Sequence, residues 1–191
     1  MILTFFGVPL VLHPQCPGMI DTVIFDMDGL LVDTEPLWIV AMQEVLQTVN
    51  VTITPELAQQ TTGLRTVEVV NYWYDYFKWN GKTREQVCHE IMQAVSNQVV
   101  LHGKPMEGMD YILDFFRAQK IKLGLASSSP VSFIHLVLDH FGLKSYFETI
   151  ASAEHEHYGK DLQHNIDVTS HKCHKFDLNA FVIQLGREKN I

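Results

Sequence analysis

Two carboxylates one residue apart, Asp26 and Asp28, stand directly after the apolar run Val23-Ile24-Phe25 and directly before Gly29. Carboxylates this close raise one another's pKa unless a cation keeps both ionised. A hard divalent ion with oxygen ligands, such as Mg²⁺, resolves that conflict and would also neutralise charge on a phosphate. One carboxylate is then available to attack phosphorus, and the other to hand a proton to the leaving alkoxide and later take one from water. Gly29 permits a sharp backbone turn after the pair. An isolated Asp-x-Asp-Gly is equally a solvated turn; the preceding apolar run, the glycine and Asp33 beyond favour a site.

Such a pair needs a frame. Residues 21–26, "DTVIFD", read as a short buried strand. Ligands of open α/β sheets bind beyond the C-terminal ends of the strands, and the two aspartates share a side if the strand continues past Asp26. From Glu35 to about Leu101 the pattern is helical, with Pro36 in a first turn, Thr54-Pro55 as a start signal and Thr83 with Gln86 as a capping box. "HGKPMEG" is a linker, "MDYILDFFRAQKI" an amphipathic helix and "IKLGLAS" a second buried strand. "SSSP" opens a helix to about His140, stopped by Gly142, and "FETIASAE" supplies a third strand. The expected fold is α/β: a Rossmann-like parallel sheet, incomplete at its C-terminal strands, with an inserted helical cap. Ser127, at the end of the second strand and before a helix, stands where free N–H groups face an anion; the bland alternative is a helix-capping run, Ser127 to Ser129.

The chain of 191 residues suffices for one domain with a smaller insertion. A net charge of −8 gives no reason to expect a nucleic acid or an anionic membrane as partner. Cys16, Cys88 and Cys173 are odd in number and fit no zinc spacing, so reduced thiols and a cytoplasmic location are expected. Residues 1–18 are apolar but lack a basic start, contain Pro9 and are too short to span a bilayer. They read as an extension outside the fold, with Met19 a second candidate start. A monomer is expected.

"DMDGLLVDTEP" resembles the first motif of the haloacid dehalogenase-like hydrolase superfamily, and the resemblance extends through "TTGLR", "WYDYFKWNG", "PMEGMDYIL", "LGLASSSP" and "ASAEHEHYGK". It covers about residues 19–160 and is similar to the branch of 2-deoxyglucose-6-phosphate and hexitol phosphatases. It implies that Asp26 is the nucleophile forming an aspartyl-phosphate and that Asp28 is the general acid/base. Both would ligate Mg²⁺, Asp28 through its main-chain carbonyl. It implies further that Ser127 and the Ser128 N–H bind phosphate and that Lys160 steadies nucleophile and phosphate. Gly63 and Arg65 would form a substrate loop on a mobile cap, and Trp38 would line the pocket with Trp79 and Asn80, although Trp79 reads equally well as bundle core. Related mutases often carry His where Trp38 stands, which favours phosphatase over mutase. The implied organisation is a core of residues 19–34 and 103–160, a cap of 35–102 and an atypical tail of 161–191, and the implied substrate is a small phosphorylated sugar.

The tail departs from the resemblance. Relatives usually follow the lysine with Pro-x-Pro and later bring a further acidic pair to the metal; here Asp161-Leu162-Gln163 follows, and the nearest later acid after an apolar run is Glu188. Without a fourth strand beside the first, residues 23–26 would become an exposed apolar edge that "AFVIQL" covers at most in part. The alternative to a working phosphatase is therefore a truncated, catalytically weak or inactive family member; a sugar-phosphate mutase is a third, less favoured reading. His155, His157, His164, His171, Cys173 and His174 match no standard metal spacing, and a disordered polar tail is the favoured reading.

Overall fold

The computed structural model describes residues 22–154 throughout, and outside them Ile2–Phe5, Val8–Val11, Ile166–Asp167, Lys172–Cys173 and Phe176–Ile183 as strand backbone. β1 (Ile2–Phe5) and β2 (Val8–Val11) pair as an antiparallel ribbon of their own. The main sheet begins at β3 (Thr22–Phe25), where every residue is buried. The helices follow: α1 (Glu35–Gln47), α2 (Pro55–Ala58), α3 (Thr66–Phe77), α4 (Arg84–His102) and α5 (Met109–Ala118). Then come β4 (Lys122–Ser127), α6 (Val131–His140), β5 (Thr149–Ser152), β6 (Ile166–Asp167), β7 (Lys172–Cys173) and β8 (Phe176–Ile183). The six-stranded sheet has the order β5-β4-β3-β8-β7-β6, with β5, β4, β3 and β8 mutually parallel. This is the α/β, Rossmann-like parallel sheet with inserted helices that the sequence predicts.

The tail corrects one expectation. Residues 23–25 are not an edge, because β8 runs parallel beside β3 with Thr22 opposite Ala180 and Phe25 opposite Ile183. The physical reason is the demand of β3's outer backbone groups for partners, which an apolar run of strand-forming residues meets. β7 and β6 extend the sheet antiparallel from β8, so the reading of a wholly disordered tail is also corrected for these three segments.

Local signals act as read. Thr83 Oγ1 accepts from Gln86 N–H at 3.2 Å while Gln86 returns a bond to Thr83 N–H at 2.8 Å, closing the capping box of α4. Gly142, at φ 68°, ends the turn after α6 in a left-handed conformation that costs glycine little.

Two apolar clusters result. One joins β3 and β4 to α5 and α6, with Phe25 edge-on to Phe116 and Phe147 at 6.0 and 6.2 Å between centroids. The other joins α1, α3 and α4 around Trp73, Trp79, Val87 and Ile91, and Trp38 packs against both. Trp79 is bundle core, edge-on to Tyr74 at 4.9 Å. Trp73 is 1% exposed, is flanked by Tyr72, Tyr76 and Phe77, and donates from Nε1 to Thr61 Oγ1 at 3.3 Å. Trp73→Ala should cost about 3–5 kcal/mol and lower the midpoint of a thermal melt by on the order of 10 °C.

The two passages of chain between sheet and bundle bond to each other. Asp33 N–H donates to the Lys104 carbonyl and Met106 N–H to that of Leu31, each at 2.9 Å, and Val32 bridges Pro105 antiparallel. Among the described residues no helix is long and apolar enough to cross a membrane.

Candidate active site

β3 stops at Phe25, so the condition under which the aspartates would share a strand face is not met; they lie on the turn that follows. The turn is closed by Gly29 N–H to the Val32 carbonyl at 2.9 Å and by Leu31 and Val32 N–H to that of Met27. Gly29 has φ 73°, where a Cβ would be strained. This tight reversal brings Asp28 back toward the sheet end. Asp26 is half-buried at the strand's exit, and its Oδ1 accepts from Met27 N–H at 2.7 Å.

Asp28 lies in a cradle of four side-chain donors. Its Oδ1 accepts from Thr34 Oγ1 at 2.7 Å and from Trp38 Nε1 at 3.4 Å; its Oδ2 accepts from Ser129 Oγ at 2.9 Å and Ser127 Oγ at 3.1 Å. Two oxygens with about two acceptor sites each are thereby filled. Thr34 is fully buried, and Ser127 and Ser129 nearly so. Thr34 is the N-cap of α1 and Trp38 stands in its first turn, the indole being braced edge-on against Phe133 at 5.3 Å; Ser127 ends β4 and Ser129 lies two residues beyond.

Ser128 is half-buried between those serines, and its N–H has no partner among the described residues. The run Ser127–Ser129 does not cap α6. The N-cap position is Pro130, and Val131 N–H donates to Glu154 Oε2 at 3.0 Å. Ser127's carbonyl accepts from Ala153 N–H at 3.0 Å, which ties the loop after β5 to the same spot.

Arg65, just before α3, pairs through Nη2 with Glu68 Oε1 at 3.0 Å and reaches the Ala153 carbonyl with Nη1 at 3.5 Å. Gly63, exposed at φ 81°, makes the turn leading to it. The structure thus gathers Asp28, Ser127, Trp38 and, through Ala153, Arg65. Asn80 is exposed beside the core residue Trp79. Lys160, Glu188 and the histidines from His155 onward lie outside the described residues, as does the side chain of Cys173. Sequence reading missed Thr34 and Ser129 as parts of the cradle. Thr34 sits inside the first motif, but Ser129 carried only its membership of a serine run.

Asp26 offers a half-buried carboxylate, and Asp28's carbonyl is not one of those that close the turn. Oxygen donors of this kind suit Mg²⁺, which keeps several waters and needs few protein ligands. Among the described residues no cluster of three or more His, Cys, Asp or Glu side chains is placed to hold a metal. The donor set therefore fits the ion in type, and it is small.

Comparison with known proteins accords with this architecture. Residues 23–179 match the family model described as haloacid dehalogenase-like hydrolase. Hexitol phosphatase B of Escherichia coli (strain K12) is 37% identical over 146 residues, covering 75% of this chain and 65% of that protein. The phosphorylated carbohydrates phosphatase of Thermotoga maritima is 28% identical over 142 residues, 73% of this chain and 64% of its own. A structure described as that of a putative β-phosphoglucomutase from Thermotoga maritima superposes with a TM-score of 0.57 at 26% identity, over 70% of this chain and 62% of that one. The chain thus spans somewhat less than two thirds of the length of these relatives. With the family model covering most of its residues, the chain belongs to the haloacid dehalogenase-like hydrolases.

Proposed function

We propose that this protein is a Mg²⁺-dependent phosphatase of small phosphorylated sugars. The observation that carries the reading is the cradle fixing Asp28 beside Ser127 at the end of the central strand. Resemblance to sugar phosphatases supplies the substrate class.

Phosphate is bound by the Ser127 hydroxyl and the Ser128 N–H, with Lys160 steadying phosphate and nucleophile as the family resemblance implies. An Asp26 carboxylate oxygen attacks phosphorus, and the bond from phosphorus to the sugar oxygen breaks. Protonated Asp28 gives its proton to the departing alkoxide. Asp28, now a carboxylate, takes a proton from a water whose oxygen attacks the aspartyl-phosphate, which frees inorganic phosphate and restores Asp26. Hydroxyl groups suit this exchange, because Thr34, Ser127 and Ser129 accept a hydrogen bond from the acid as readily as they donate to the base. Mg²⁺, held by the Asp26 carboxylate and the Asp28 carbonyl, would offset phosphate charge during transfer. The bundle of residues 35–102 acts as the cap over a core of 19–34 and 103–160. The bonds of Arg65 to the Ala153 carbonyl and of Trp38 to Asp28 support a substrate-facing role for this bundle.

Phosphate release from a panel of hexose, hexitol and pentose phosphates tests the reading. Turnover should vanish in chelator and return with Mg²⁺; activity indifferent to Mg²⁺, or none with any sugar phosphate, would overturn it. The mutase reading rests on the likeness to the β-phosphoglucomutase. Phosphorus NMR of a reaction begun with a hexose 1-phosphate separates the two, since a mutase yields the 6-phosphate and a phosphatase yields free phosphate.

A further inference from the structure

We propose that Ser129 is a positioning residue for Asp28, the group that keeps the carboxylate aimed while Ser127 is engaged elsewhere. The proposal rests on the phosphatase reading for its kinetic consequence and on geometry alone for its structural one.

Asp28 Oδ2 has two hydroxyl donors, Ser127 at 3.1 Å and Ser129 at 2.9 Å. A hydroxyl carries a single proton to donate. When the Ser127 proton turns to a phosphate, Oδ2 keeps only Ser129, while Thr34 and Trp38 hold the other oxygen. A carboxylate held at one oxygen swings about that contact; held at both, it keeps one plane.

Ser129 is built for constancy. It is 6% exposed, its N–H donates to Ser127 Oγ at 3.0 Å, and its carbonyl accepts from Ser152 Oγ at 2.7 Å. Its main chain is thereby pinned to the ends of both β4 and β5. Its hydroxyl is not spent on α6, whose first N–H goes to Glu154. This serine thus serves the acid/base carboxylate and not the helix.

The chain's three tryptophans make the test direct. Protein labelled with 5-fluorotryptophan should give three fluorine resonances, that of Trp38 being assigned by its loss in Trp38→Phe. Because the Trp38 indole touches Asp28 Oδ1, Asp28→Asn should displace this resonance. Ser129→Ala should displace it as well while Trp73 and Trp79 stay in place, and Ser129→Thr should return it. In turnover, Ser129→Ala should lower kcat about ten-fold with KM within about two-fold, and Ser129→Thr should recover most of the loss. A Trp38 resonance unmoved by Ser129→Ala but moved by Asp28→Asn would overturn the proposal. So would equal displacement of all three resonances, which signals loosened packing, or a rise in KM with kcat kept, which would place Ser129 on the substrate. Absence of turnover in the unaltered protein would sink the phosphatase reading alone, with the fluorine spectra still deciding the geometry.

Discussion

Asp26→Asn should reduce phosphate release by about 10⁴-fold or more while leaving the thermal midpoint nearly unchanged. The amide is a poor nucleophile toward phosphorus, so the proposed aspartyl-phosphate could not form. Asparagine keeps the shape of the half-buried Asp26 side chain, and its carbonyl still accepts from Met27 N–H. Asp28→Asn offers the contrast. There the new NH₂ group would face donors, so that one or two hydroxyls must rotate or lose a partner, at about 1–3 kcal/mol. Activity and stability should thus separate at Asp26 and fall together at Asp28. Single-turnover measurements with a sugar phosphate, beside melts of both variants, check this. Substantial turnover in Asp26→Asn would remove Asp26 as the nucleophile.

The second large effect concerns β8. Removing residues 161–191 should strip β3 of its parallel neighbour along Thr22–Phe25 and leave four buried residues on an open edge. At about 1 kcal/mol for each ladder hydrogen bond, the loss is roughly 4 kcal/mol, out of a typical total of about 5–15. The melt should fall by on the order of 10 °C, and the exposed strand should promote aggregation. Val182→Pro is the finer test. Val182 faces Ile24 across the ladder, and proline there removes a backbone N–H from a central strand. It should destabilise in the same direction with the chain otherwise intact. An unchanged melt in both variants would mean that β8 contributes little to holding β3.

How far these features are legible in the sequence depends on their range. The Thr83–Gln86 capping box and the stop at Gly142 are local, and they form as read. The alternation of strand and helix from β3 to β5 follows from hydrophobic period together with cap and turn residues. Two aspartates on one strand face did not follow, because Gly29 and the bonds to Met27's carbonyl end the strand a residue earlier than its apolar pattern suggests. Ser129 and Ser127 meet Asp28 across about a hundred positions of chain. No local pattern distinguishes their hydroxyls from those of a capping run; only the pairing of β3 with β4 brings them face to face. The placement of "FDLNAFVI" is of the same kind. The segment has the composition of a strand, but its neighbour is chosen by the vacancy beside β3.

Val32 takes part in two bridges at once, to Asp28 on one side and to Pro105 on the other. Because Asp33 bonds to Lys104 and Leu31 to Met106, the two linkers form one doubly bonded crossing between sheet and bundle. Displacing the bundle from the sheet would therefore strain the same turn that carries Asp28.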